Sequence, residues 1–177
     1  MTPNLRFLFA HPAHLVACGF GSGLTVVAPG TAGTLFAWLT YPLLRLAYPA
    51  DGNFGLFLGF MAVFGTWCVH VTGKHLGEAD HGAIVWDEIL PFWATLMLVP
   101  PALLATPHGM LFSPAGLAWQ AAAFGLFRLF DITKPPPASF FDRRVKNGFG
   151  VMMDDVVAAG YTLLALAGAR LVLERLG

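Results

Sequence analysis

Five apolar stretches, residues 31–48, 54–71, 89–105, 111–130 and 156–173, divide the chain and are separated by short polar segments. Each is near the roughly 17–25 residues that a helix needs to cross the hydrocarbon of a bilayer. Inside a bilayer a helix satisfies its own backbone, so the pattern predicts an all-α protein. We expect one domain over residues 1–177, with about five apolar helices and polar motif loops gathered on one face. Only 54–71 is uninterrupted. The first stretch holds Pro42 and Arg45, the third holds Pro91 and the Pro100-Pro101 pair, and the fifth soon meets Arg170. Some of these helices are therefore expected to be kinked, tilted or partly inserted, with long basic side chains reaching toward headgroups. Gly55 and Gly59 form a G-x-x-x-G pair, read here as helix packing rather than a dimer motif.

If the chain crosses at every apolar stretch, residues 1–30, 72–88 and 131–155 fall on one side, and 49–53, 106–110 and the C-terminus on the other. The first side carries Arg6, Lys74, Lys134, Arg143, Arg144 and Lys146, whereas the second has Arg45, Arg170 and Arg175 near helix ends. The bias of Lys and Arg toward cytoplasmic loops makes the charged face cytoplasmic. Residues 1–23 have one basic residue ahead of their apolar part, and His11, Pro12 and His14 interrupt what would be a signal core. That stretch reads as mature chain, a short helix at the interface.

Composition agrees. Hydrophobic residues make up 56% of the 177 and charged residues 11%, against roughly 25% charged in a soluble domain. Mean hydropathy is +0.67. A formal net charge of zero gives no basic surplus for nucleic acid and no acidic tail. Cys18 and Cys68 lie far apart and form neither a metal pair nor an expected disulfide.

Against this apolar background, residues 127–160 gather Asp131, Asp142, Asp154 and Asp155 with Arg128, Lys134, Arg143, Arg144 and Lys146. Carboxylates supply the hard oxygens that Mg²⁺ prefers, and Lys and Arg beside them can hold phosphate oxygens. The pattern points to a phosphate ester. Arg128, Asp131 and Lys134 are three apart and share a helical face if the helix runs on; Pro135-Pro136-Pro137 stops it and pushes Lys134 toward an extended conformation. Asp142 and Lys146, four apart, fit a surface ion pair. Asn147-Gly148-Phe149-Gly150 reads as a turn, and Asp154-Asp155 as the residues ahead of the last apolar helix, where they either ligate a metal or simply cap.

Two further stretches admit both a chemical and a plain structural reading. Pro29-Gly30 is a turn, Thr31 a fair N-cap, and small residues such as Gly33 leave the first helical N–H groups open to an anion; the same residues also serve as punctuation before a helix. Asp87-Glu88 either cap the next helix or reach a divalent cation. His75 and His81 have no helical ligand spacing and read as solvated loop histidines.

Ala28-Pro29-Gly30-Thr31 with Gly33, Asp87-Glu88-Ile89, Phe130-Asp131-x-x-Lys134-Pro135-x-Pro137, Asp142-Arg143, and Gly148-x-Gly150-Val151-Met152-x-Asp154-Asp155 with Ala159-Gly160 together resemble the phosphatidylglycerophosphatase A family. The resemblance runs from about residue 20 to the C-terminus. It implies a bacterial inner-membrane enzyme that removes the terminal phosphate of phosphatidylglycerophosphate, with Mg²⁺ as cofactor. It also implies Asp87, Glu88, Asp131, Lys134, Asp142, Asp154 and Asp155 as the functional set. Pro91 and Asn147 depart from the glycines expected there, which bears on local backbone shape.

On that basis Asp87, Glu88, Asp154 and Asp155 are expected to hold Mg²⁺, with Lys134 and Arg143 neutralising phosphate oxygens and the Thr31–Gly33 helix start offering N–H donors. The nucleophile is either a water acidified by the cation or Asp131 through an aspartyl phosphate. Two rival classes stand beside this reading. A CDP-alcohol phosphotransferase requires a long spaced Asp/Gly/Arg signature that is not found, and a transporter or assembly factor predicts charges at mid-membrane depth, where the apolar runs are nearly clean.

Overall fold

The computed structural model describes residues 3–99 and 113–176. The Pro100-Pro101 pair, the 106–110 loop and the ends of the third and fourth apolar stretches that adjoin it lie outside the described residues. Among those described, every regular element is helical. Two short helices, α1 (Leu5–Ala10) and α2 (Pro12–Ala17), lead through a 3-10 segment, Gly19–Leu24, into α3 (Pro29–Ala47). There follow α4 (Asp51–Leu76), α5 (Trp86–Leu98), α6 (Pro114–Thr133), α7 (Ala138–Arg144) and α8 (Gly148–Leu176).

Local chemistry sets several of these boundaries. Proline opens α2, α3 and α6, where its fixed φ suits a helix and its missing donor has no carbonyl to meet. Helix α4 stops at Gly77, whose φ of +78° turns the chain so that the Gly77 and Glu78 N–H groups donate to the Lys74 and Gly73 carbonyls. Asn147 begins α8: its Oδ1 accepts from the N–H of Phe149 and of Gly150 at 3.0 and 3.1 Å. An asparagine where the family pattern favours glycine thus acts as a side-chain cap.

Each of the five apolar stretches carries a helix as far as it is described, and among the described residues two of them, α4 and α8, with 26 and 29 residues, are long and apolar enough to cross a membrane. Helix α5 shows that an apolar stretch can instead be covered by protein. Its 13 residues span about 20 Å, short of the ~30 Å hydrocarbon core, and every residue from Trp86 to Trp93 is buried within the protein.

Helix α5 is the hub, packing on α3, α4 and α8, while α6 and α7 lie along α8. Trp86 fits a notch in α4 at Gly65, where a Cβ would stand 1.9 Å from the indole Nε1. Trp93 Nε1 donates to the Ala37 carbonyl of α3 at 2.9 Å. On the outside, Leu35, Leu39, Leu43 and Leu46 form an exposed stripe on α3, and Leu56, Phe60, Val63 and Trp67 another on α4. Contiguous exposed apolar stripes of this kind mark contact with lipid or another apolar partner.

Candidate active site

The starts of α3 and α5, the end of α6 and the second turn of α8 converge on a hollow of about 370 Å³. Asp87 and Glu88 reach it from the first turn of α5, Asp131 from the last turn of α6, and Asp155 from α8. Asp154 and Asp155 lie within α8 rather than ahead of it, because the Asn147 cap starts the helix earlier than the turn-like Asn-Gly-Phe-Gly sequence predicts.

Three carboxylates dominate. Asp87, Glu88 and Asp155 are buried, and an oxygen from each lies within 4.8 Å of the others. Asp87 Oδ1, Glu88 Oε2 and Asp155 Oδ1 have no hydrogen-bond partner among the described residues. Buried carboxylate oxygens crowded together without donors are costly unless something cationic joins them. The donor set, three hard oxygens, fits Mg²⁺ or a similar divalent cation and is foreign to soft metals. In the absence of such a charge the proton takes its place: burial, then Glu88 beside it, raises the Asp87 carboxyl well above the usual range. Burial and then Asp131 raise Glu88 to about 8, against the pull of Arg128.

Cations flank this cluster. Arg128 Nη1 lies 2.6 Å from Asp131 Oδ2 and 3.4 Å from Glu88 Oε1, tying α6 to α5. The guanidinium has room because residue 30 is glycine: a Cβ there would stand 2.0 Å from Glu88 Oε1 and 3.0 Å from Arg128 Nη1. Lys134 bonds to Asp154 and lies 3.5 Å from Asp142 Oδ1. Burial works against the lysine's charge, but the Asp154 bond and the charges of Asp154, Asp155 and Asp131 outweigh it and raise its pKa. Lys134 is left-handed, with φ +42°, rather than extended, since its N–H still donates to the Phe130 carbonyl and ends α6 as a cap. Ala28, at φ +49°, is the other left-handed residue lining the hollow. For residues with a Cβ that conformation costs about 1 kcal/mol or more, and such strain concentrates at functional sites.

The predicted residues do not all meet in one place. Thr31 sits in the first turn of α3, with Ala28 rather than Thr31 in the cap position, and it is Gly30 that lines the hollow. Gly33 faces Val85, whose Cβ would be 2.7 Å from an added Cβ. Arg143 is exposed on α7 and forms no ion pair among the described residues. Asp142 meets Lys134, not Lys146 as its four-residue spacing implied. Arg128 and Asp80 were outside the candidate set, yet both line the hollow. The three-residue step from Arg128 to Asp131 was the signal for the arginine.

Fold and site together define an all-helical protein that concentrates acidic and basic side chains around one hollow suited to a phosphate group. The family profile for Phosphatidylglycerophosphatase A matches residues 15–170. A Phosphatidylglycerophosphatase A from Haemophilus influenzae is 37% identical over 166 residues, covering 93% of this chain and 92% of its own. Another from Escherichia coli is 39% identical over 153 residues, covering 86% and 80%. A third relative, from Bacteroides thetaiotaomicron, 34% identical over 90% of this chain and 94% of its own, is named, provisionally, a phosphatidylinositol-3-phosphatase. No solved structure matches. The chain belongs to the phosphatidylglycerophosphatase A family, a family of phosphatases.

Proposed function

We propose that this protein hydrolyses the terminal phosphate monoester of phosphatidylglycerophosphate, giving phosphatidylglycerol and inorganic phosphate in phospholipid biosynthesis, with Mg²⁺ as cofactor. The observation that carries the cofactor is the set of three buried carboxylate oxygens of Asp87, Glu88 and Asp155 that lack a donor among the described residues. A hard divalent cation held by these residues, with Asp154 beside them, supplies positive charge for the phosphate oxygens and makes phosphorus a better electrophile.

The chain's own residues do the rest by position and charge, which carry most of the barrier reduction in phosphoryl transfer. Lys134, oriented by Asp154 and Asp142, neutralises a phosphate oxygen. The N–H groups of Gly30 and Thr31, in a first helical turn and so without a helical acceptor, offer further donors. Arg143, exposed on α7, meets the headgroup from outside the hollow. In the reaction, water gives its oxygen to phosphorus and its proton ends on the glycerol oxygen as the P–O bond breaks. In this reading Asp131, held by Arg128, receives that proton in transit; if Asp131 instead attacks phosphorus itself, labelled substrate leaves a phosphorylated protein.

The exposed leucine and aromatic stripes on α3 and α4 and the length of α4 and α8 support residence in the bacterial inner membrane, crossed more than once. Lys74, Lys134, Arg143, Arg144 and Lys146 lie at or beside the helix ends nearest the hollow, whereas Arg45, paired with Asp51 at 2.7 Å, Arg170 and Arg175 lie toward the opposite ends of α3 and α8. By that asymmetry the active-site loops face the cytoplasm.

The test is phosphate release from phosphatidylglycerophosphate by the purified protein in neutral detergent. Release that needs Mg²⁺, stops with chelator and yields phosphatidylglycerol supports the reading. A folded protein that releases nothing under conditions where an established phosphatase works overturns it.

A further inference from the structure

Beside the carboxylate hollow lies a second one of about 280 Å³, between the last turn of α4 and the first residues of α8, with Lys74 and Lys146 on its walls. The two are neighbours along the chain, since Ala79 lines this hollow and Asp80 the other. Their charge is opposite. The first is crowded with carboxylates, whereas this one brings two lysines and a single carboxylate, Glu78. Neither lysine is in an ion pair among the described residues, although Lys134 next door is held by two aspartates. Part of the wall is bare backbone. Nothing stands within 4 Å of a Cβ built on Gly77, and at Gly148 a Cβ would meet His70 Cβ at 2.8 Å, so glycine lets α8 settle on α4 beside the hollow. Lys146 also acts across the boundary: the Asp80 carboxyl, raised by desolvation, is drawn back by both Lys134 and Lys146.

We infer that this basic hollow holds the second phosphate of the same lipid, the phosphodiester joining headgroup glycerol to diacylglycerol, while the terminal monoester enters the carboxylate hollow. This rests on the lipid phosphatase reading above. A phosphodiester keeps one negative charge at every physiological pH, so it calls for cationic partners of its own, and next to the monoester's hollow Lys74 and Lys146 supply them. The hollow reached one residue earlier in the chain has two ammonium groups without an ion pair among the described residues, and a charge-assisted bond to a phosphate oxygen is the contact they can make. The consequence is specificity: a lipid with both a diester and a terminal monoester is preferred over phosphatidate, whose one phosphate is a monoester.

The experiment compares kcat/KM for phosphatidylglycerophosphate and for phosphatidate in neutral detergent, for wild type, Lys74→Ala with Lys146→Ala, and Lys146→Glu. Both lysines are exposed, so the folded state tolerates the changes. Wild type is expected to prefer the two-phosphate lipid, and the double variant to lose roughly ten- to a hundredfold of that preference, through KM, from the energies of hydrogen bonds to charged groups. Lys146→Glu loses more. An unchanged ratio of the two substrates, or equal losses on both, overturns the inference. So does a lysine effect that appears only when phosphatidylglycerol is added to the micelle, which would assign the hollow to a neighbouring lipid. If wild type releases phosphate from neither lipid, the phosphatase reading itself fails, an outcome distinct from the others.

Discussion

Arg128 Nη1 on α6 reaches to 3.4 Å from Glu88 Oε1 on α5, joining two helices at the centre of the acidic cluster. Both side chains are largely buried, at 15% and 11% exposed. The same guanidinium lies 2.6 Å from Asp131 Oδ2, and removing it leaves that buried carboxylate uncompensated, at a cost of about 3–5 kcal/mol. Arg128→Gln is therefore expected to lower the thermal midpoint in detergent and to cut phosphate release by at least about tenfold. Arg128→Lys, which keeps the charge but not the planar fork, should fall between wild type and Arg128→Gln in both measurements.

Two glycines in the first turns of α3 separate site geometry from packing. At Gly30 an added methyl collides with Glu88 Oε1, and at Gly33 with Val85. Gly30→Ala should displace a carboxylate and reduce kcat by about a hundredfold, the scale on which ångström misplacements act. Gly33→Ala should instead lower the thermal midpoint, by the 1–3 kcal/mol typical of overpacking. Measuring both quantities for both variants distinguishes a helix start that binds from one that packs.

Much of this architecture was legible in the sequence. The apolar stretches marked helices, and the clustering of Asp, Lys and Arg in 127–160 marked the chemistry, because charge is expensive in an apolar chain and is gathered where it acts. Hydropathy did not separate α5, buried by protein from Trp86 to Trp93, from helices with exposed apolar faces, since both exclude polar residues. Arg128 was visible only as a neighbour of Asp131, because its link to Glu88 spans 40 positions that no local periodicity connects. Asp80 carried no motif at all; it reaches the hollow through the loop that follows the Gly77 turn.

Asn147 holds the start of α8 through its side chain. Asn147→Ala is expected to cost about 1 kcal/mol of stability, and Asn147→Gly only a few tenths, as at other N-caps. Thermal unfolding of the two variants in the same detergent checks this, and equal losses would show that the Asn147 side chain does not cap α8.

The raised carboxyls set a pH dependence. Glu88 binds its proton up to about pH 8 in the fold but only to about 4.5 when unfolded. Between those values the folded state holds more protons, so the stability of cation-free protein should fall as pH rises from about 5 to 8, by on the order of a few kcal/mol. Asp87, raised by burial and by Glu88, acts in the same direction. Because a cation competes with these protons, thermal stabilisation by Mg²⁺ should grow over the same interval. Melting curves at several pH values, with Mg²⁺ and with chelator, read both trends.

A divalent cation held by Asp87, Glu88 and Asp155 is tested by equilibrium binding of Mn²⁺, followed through loss of the free-ion spectroscopic signal, to wild type and to Asp155→Asn in detergent. Saturable binding by wild type, displacement by Mg²⁺, and affinity weakened about tenfold or more in the variant are expected. Binding that is absent in wild type, or unaltered by Asp155→Asn, would rule out a cation at these carboxylates.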